Sequence, residues 1–267
     1  MCIRDSIQAT GIDDAGRRQY RYHEAWRVQK DRAKFDRMLD LAEVLPAARR
    51  GVTRDLRRDD LSRERVLAAA FRMLDTGMLR VGSERYADAH GSYGLSTLLG
   101  AHARTIDSSR VLLEFPGKSG QPWESEIADA DLAGVVARLK RRGGRARLLA
   151  WNDDRGWHPL AAADINDDVR ARTGGDFTAK DFRTLHGTVT AAVSLARSGP
   201  GETPTARKRA IVQAVRLAAD ALGNTPAVAR SSYVDPRVLD RYEKGETLDV
   251  TSPRSAESGL RGLVTSD

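Results

Sequence analysis

Four separated segments hold the residues best suited to chemistry on a phosphodiester. The first is Leu79-Arg80-Val81-Gly82, with Arg85 and Tyr86 just beyond it and Gly94-Leu95-Ser96-Thr97-Leu98 after that. The second is Phe115-Pro116-Gly117-Lys118, and the third is Thr178-Ala179-Lys180-Asp181-Phe182-Arg183-Thr184. The last is Gly223-Asn224-Thr225-Pro226, followed by Ser232-Tyr233. Attack on a phosphodiester builds negative charge on the equatorial oxygens of a five-coordinate phosphorus. Two guanidiniums and one amide can meet that charge without a metal. A tyrosine can attack once it loses its proton, which nearby arginine charge favours. The departing alkoxide needs a proton, and a lysine can deliver one. Taken singly, each residue has a plainer reading. Tyr233 fits a half-buried core tyrosine, Arg80 a strand-edge charge and Arg183 a solvated helix residue. Lys118 fits a turn lysine, and Asn224 a helix cap.

In order and spacing, the four segments resemble the poxvirus and bacterial form of DNA topoisomerase IB. The resemblance runs from roughly Ile7 to Val250. The Lys-Asp-Phe-Arg-Thr and Gly-Asn-Thr-Pro…Tyr segments are its most specific parts. It implies that Tyr233 is the nucleophile and that Arg80 and Arg183 grip the scissile phosphate. It implies that Lys118, at a hairpin tip, protonates the departing 5′-oxygen. Asn224 stands where many members have histidine; it can donate a hydrogen bond to a non-bridging oxygen but is no proton donor. The implied partner is double-stranded DNA, with Tyr20 and Tyr22 where the family's N-terminal domain touches it; Arg85 and Tyr86 beside Arg80, Lys180, and Arg207 and Lys208 of the basic helix are further expected contacts. The implied activity is relaxation of supercoiled DNA through a 3′-phosphotyrosyl intermediate, by a monomer, with no cofactor and no metal. The phosphotyrosyl ester conserves the energy of the broken bond, so religation needs no ATP.

Two rivals stay open. A tyrosine recombinase or integrase uses similar Arg, Lys, Arg, Tyr chemistry, but its second arginine usually sits in His-x-x-Arg, and here the unit is Lys180-x-x-Arg183. A non-catalytic DNA-binding fragment is the other. A P-loop around Gly117-Lys118-Ser119 fails because Leu112 occupies the position of its first glycine.

The elements that must position these residues read as α+β: a mostly α-helical catalytic domain over residues 24–267 with a small antiparallel sheet. Residues 1–23 read as the remnant hairpin of a β-rich N-terminal DNA-binding domain, from Ile7–Gly11 and Gln19–Tyr22, and an isolated hairpin is marginal in water. A helix from about Glu24 to Ala48 is expected to close at Pro46 and Gly51. Ser62 caps a helix ended by Gly77. Strand-like runs follow at Met78–Val81, Tyr93–Leu98, Arg110–Phe115 and Pro122–Ile127, then a helix from Asp129 to Arg142. Thr178…Asp181 opens a helix as a capping box with Asp at the reach-back position. A basic helix spans about Thr205 to Leu222. Trp26, Trp123, Trp151 and Trp157 read as core or hairpin anchors.

Composition agrees with this reading. Of 267 residues, 44 are Lys or Arg and 37 are Asp or Glu, a net +7 that favours a polyanionic partner. The single cysteine, Cys2, excludes an internal disulfide and fits a reducing, cytoplasmic and nucleoid-associated setting. No run approaches a membrane span, and the five histidines lack metal-ligand spacing.

Overall fold

The computed structural model describes residues 7–14, 16, 18–249 and 253–265, without the side chains of 253 and 254. Cys2, Ala15 of the expected hairpin turn and Val250 lie outside the described residues. The chain begins with the antiparallel strands β1 (Ile7–Ile12) and β2 (Arg18–Tyr22). None of their described residues is buried, and Ile12 is 76% exposed. The hairpin meets the following helix through Tyr22, whose ring stacks on Trp26 with centroids 4.1 Å apart.

Helix α1 (Glu24–Leu56) runs 33 residues, about 50 Å at 1.5 Å per residue. It passes straight through Pro46 and Gly51, so the expected stop is corrected. Pro46 removes one backbone bond, but Ala48, Val52 and Leu56 beyond it stay fully or nearly fully buried. Burying Val52 and Leu56 contributes about 1.5–3 kcal/mol each, which together offsets a proline cost of about 3 kcal/mol. Helix α2 (Arg63–Gly77) packs on α1, with Val66, Leu67, Phe71, Met73 and Leu74 inside. Its C-cap is Met78, in the left-handed region at φ 54°.

Two expected strands are therefore absent. Met78–Val81 is irregular because Met78 turns out of the helix, and Leu95–Thr97 is one turn of 3-10 helix. The two segments still lie side by side, Leu95 N–H donating to Arg80 O (2.9 Å) and Ser96 N–H to Val81 O (2.8 Å). Between them runs the short helix α3 (Glu84–His90). The three-stranded sheet uses β3 (Ala103–Thr105), β4 (Arg110–Pro116) and β5 (Pro122–Ala128), all antiparallel. The β4–β5 hairpin matches its expectation, with Phe115 opposite Trp123 and Pro116 opposite Pro122.

Helix α4 (Ala130–Lys140) is capped by the Asp129 carboxylate, which accepts from Leu132 N–H at 2.8 Å. A hairpin of β6 (Ala150–Asp153) and β7 (Gly156–Pro159) and helix α5 (Ala162–Thr173) follow, all unforeseen. Helix α6 (Ala179–Ser198) is the axis of the core, with Phe182, Leu185, Val189, Ala192 and Leu195 enclosed. Phe182 meets Phe71 of α2 edge-on at 5.3 Å. The Asp181 carboxylate accepts from Thr178 N–H (2.8 Å), the reach-back bond the capping box predicts, and also from Thr178 Oγ1 (2.9 Å). Helix α7 (Pro204–Leu222) packs along α6, and α8 (Pro226–Ser232), α9 (Pro236–Glu243) and α10 (Pro253–Thr265) complete the layer. The mostly helical α+β reading with a leading hairpin therefore holds. No helix among the described residues is long and apolar enough to cross a membrane.

Candidate active site

Arg183 anchors the site because it lies on the buried axis helix. It is 2% exposed, so its reading as a solvated helix residue fails. Its Nη1 donates to Met78 O (2.5 Å), the left-handed cap of α2, and its Nη2 donates to Leu222 O (2.6 Å), the last residue of α7. Both acceptors are carbonyls at helix C-termini, where partial negative charge collects. Burial, with Arg80 nearby, pulls the Arg183 pKa down to about 10. The group is still charged at neutral pH, but at a cost that an arriving anion would offset. Its Nε is buried and has no partner.

Tyr233 stands against Arg183, whose Cζ lies 5.3 Å from the ring centroid. The tyrosine's backbone is docked onto α6. Its carbonyl accepts from Thr188 Oγ1 at 3.1 Å. A Cβ on Gly187 would fall 2.8 Å from the same oxygen, so glycine is required in mid-helix for this close approach. Gly187 and Thr188 thus fix where the Tyr233 side chain starts. Gly187 is a positioning feature that sequence reasoning missed, although a glycine inside a helical pattern is a recognised signal of a packing requirement.

Arg80 leaves the irregular segment after α2 and reaches the turn after α7. Its Nη2 donates to Asn224 Oδ1 at 2.7 Å and lies 3.4 Å from Gly223 O. Burial lowers its pKa, and Tyr233 partly opposes this. The Asn224 amide is thereby oriented: its oxygen is occupied, and its buried Nδ2 has no partner. Arg80, Arg183, Asn224 and Tyr233 therefore sit together.

Lys118 is exposed at the β4–β5 tip, where Gly117 N–H donates to Gln121 O (2.7 Å) and Ser119 adopts φ 60°. It lines a cavity of about 770 Å³ with Arg80, Tyr86, Tyr93 and His90. Arg85 and Tyr86 are exposed on α3, with Tyr86 at 52%. Lys180 is exposed in the first turn of α6, and Tyr20 and Tyr22 sit on β2. Lys208 is exposed on α7, whereas Arg207 is half-buried and donates Nη1 to Gly201 O at 2.8 Å. Both line a second cavity together with Arg230. The site is a set of donors gathered around one tyrosine, and Asp or Glu is absent from the polar partners found for Arg80 and Arg183. Such a set suits an anion that gains charge during reaction.

Comparison with known proteins identifies the family. Residues 23–251 match the family described as eukaryotic DNA topoisomerase I, catalytic core. The chain is 32% identical over 244 residues to DNA topoisomerase 1B of Acanthamoeba polyphaga mimivirus, covering 89% of this chain and 72% of the relative. It is 22% identical over 261 residues to DNA topoisomerase 1B of vaccinia virus, covering 95% and 78%. Against DNA topoisomerase 1 of Mycosarcoma maydis it is 28% identical over 121 residues, 45% of this chain but only 12% of that longer protein.

Proposed function

The chain belongs to the type IB DNA topoisomerases, a class of isomerases, and from that membership we propose that it relaxes supercoiled DNA by transient single-strand cleavage through Tyr233. In this reading the Tyr233 oxygen, its proton released to solvent, attacks the scissile phosphorus. The new bond is a 3′-phosphotyrosyl ester, and the bond that breaks is P–O5′. Arg80, Arg183 and the Asn224 Nδ2 meet the charge that grows on the equatorial oxygens. Lys118 gives its proton to the leaving 5′-oxygen and takes it back when that hydroxyl attacks the ester. Between the two steps the nicked strand swivels. No nucleotide enters the balance, because the ester conserves the bond energy, and the two guanidiniums and the amide take the charge that a metal would otherwise meet.

The observation that carries this reading is a pair of buried, unpartnered donors: Arg183 Nε, on the guanidinium whose Cζ lies 5.3 Å from the Tyr233 ring centroid, and Asn224 Nδ2, on the amide that Arg80 holds. Buried donors without acceptors are rare and costly, about 1–3 kcal/mol each, and a shift of the surrounding side chains that admits a phosphate oxygen would give them one. Tyr20, Tyr22, Arg85, Tyr86, Lys180 and Lys208 are assigned to the DNA surface around it, with Arg207 supporting its own loop. Residues from Glu24 onward form the catalytic unit, which works as a monomer. The test is relaxation of a negatively supercoiled plasmid with EDTA present and ATP absent. Relaxation in single-linkage steps, lost in Tyr233→Phe, is expected. A requirement for ATP or a divalent ion would contradict the proposal.

A further inference from the structure

The two halves of the proposed chemistry are a buried phosphate clamp and an exposed proton donor. They come from different elements, and something must hold them in register. Trp123 touches both. It lies on β5, opposite Phe115 of β4, and its ring centroid is 6.4 Å from that of Phe115. Its Cβ would lie 3.5 Å from a Cβ on Gly117, the residue before Lys118. The indole therefore belongs to the base of the Lys118 hairpin.

The other side of the indole faces the clamp. Arg183 Cζ lies 5.9 Å from the Trp123 ring centroid and 5.3 Å from that of Tyr233, so the guanidinium is flanked by two aromatic rings. A cation over an indole face is attracted to it, most where water is excluded. Trp123 also closes on the turn that carries Asn224. A Cβ on Gly223 would fall 2.8 Å from its Cζ3 and 3.1 Å from its Cε3. Gly223 is the left-handed cap of α7 at φ 55°, so glycine serves there both for conformation and for the space the indole fills. The indole Nε1 is buried without a partner, as are Arg183 Nε and Asn224 Nδ2. A hairpin anchor with no further role has no need to press on the clamp arginine.

We propose that Trp123 is a positioning residue that sets the Lys118 hairpin against the Arg183–Asn224 clamp, so that proton donation and phosphate binding occur at one geometry. The proposal rests on the assignment of Lys118 and Arg183 above. It assigns the role to the ring rather than to its N–H. Losing the ring leaves Arg183 held by Met78 O and Leu222 O, so phosphate binding survives, but the hairpin loses its stop against the Gly223–Asn224 turn.

Single-turnover cleavage of a DNA duplex tests this with Trp123→Ala, Trp123→Leu and Trp123→Phe. Two substrates are compared, one with the natural 5′-oxygen at the cleavage site and one with sulfur in its place. Sulfur leaves as a thiolate and needs no proton, so a misplaced donor matters less. Trp123→Ala is expected to slow cleavage of the oxygen substrate roughly 10-fold to 100-fold, the scale of an ångström-sized displacement. DNA affinity should stay unchanged, and the deficit should shrink on the sulfur substrate. Trp123→Phe keeps a ring and should stay within about threefold of the parent on both substrates. Trp123→Leu, which keeps apolar bulk without a ring and leaves a smaller cavity than alanine, should resemble Trp123→Ala and guards against a folding defect. Equal deficits on the two substrates, no deficit in Trp123→Ala, or a Trp123→Phe as slow as Trp123→Ala would each overturn the proposal. Tyr233→Phe run in parallel separates the two levels. An adduct that survives in it defeats the assignment of the nucleophile, whatever Trp123 does.

Discussion

The site has two sides of opposite physical character. Arg183 is enclosed in the core, tied to two helix ends and depressed in pKa, whereas Lys118 stands exposed on a turn held by backbone bonds. The clamp is built from the same interactions that hold α2, α6 and α7 together. The donor is not, and could be removed without touching the core. Catalysis and stability should therefore be coupled on one side of the site and separable on the other.

Lys118→Ala is the sharpest way to break that comparison. It should slow cleavage by about 10²–10⁴, the usual worth of general acid catalysis, and leave Tm unchanged because no buried group loses a partner. A Tm loss of several degrees would show that the Lys118 tip is tied to the core after all. Arg183→Ala should slow cleavage by about 10²–10³. It should also leave the Met78 and Leu222 carbonyls unpaired, costing about 1–3 kcal/mol and a few degrees in Tm. Thermal melting and single-turnover rates measured on the same two proteins test the contrast. An Arg183→Ala protein as stable as the parent would remove it.

The smallest effect sharpens the comparison through pH. His186 lies one turn beyond Arg183 on α6, buried with its Nε2 unpartnered, and burial holds its pKa below the ordinary value. Asp75 and Glu257 push the pKa up while Arg49 and Arg183 push it down, so the carboxylates only partly offset the burial. As pH falls below about 6.5, the unfolded chain takes up a proton that the folded chain resists. The stability His186 permits is whole above that pH and is lost as pH falls toward its lower folded value. Tm should thus drop between about pH 7.5 and pH 5, and His186→Gln should flatten the slope. His102, also held low by burial, would leave a residue of it. An unchanged slope in the variant would show that His186 is not the group responsible.

Much of this was legible in the sequence, for local reasons. The capping box at Thr178 and Asp181 and the β4–β5 hairpin follow from neighbours a few residues apart, and both formed as expected. The stop at Pro46 and the strands at Met78–Val81 and Tyr93–Leu98 did not form. Burial along α1 overrode the first, and the left-handed Met78 replaced the second with an irregular run. The convergence of Arg80 on Asn224 spans 144 residues, beyond any local pattern, and only family order signalled it. Trp123 was legible as a hairpin anchor, but its contact with Arg183 depends on how the sheet meets α6. Arg183 itself was open to reading as a surface residue because a lone arginine usually is one.

The central claim is that Tyr233 carries the cleaved strand. The direct measurement is to quench a cleavage reaction with denaturant, digest the protein and locate the DNA-linked peptide by mass spectrometry. The account predicts one adduct, a 3′-phosphate esterified to the Tyr233 oxygen, absent from Tyr233→Phe. An adduct on another residue, a 5′-linked strand, or an adduct that persists in Tyr233→Phe would contradict it.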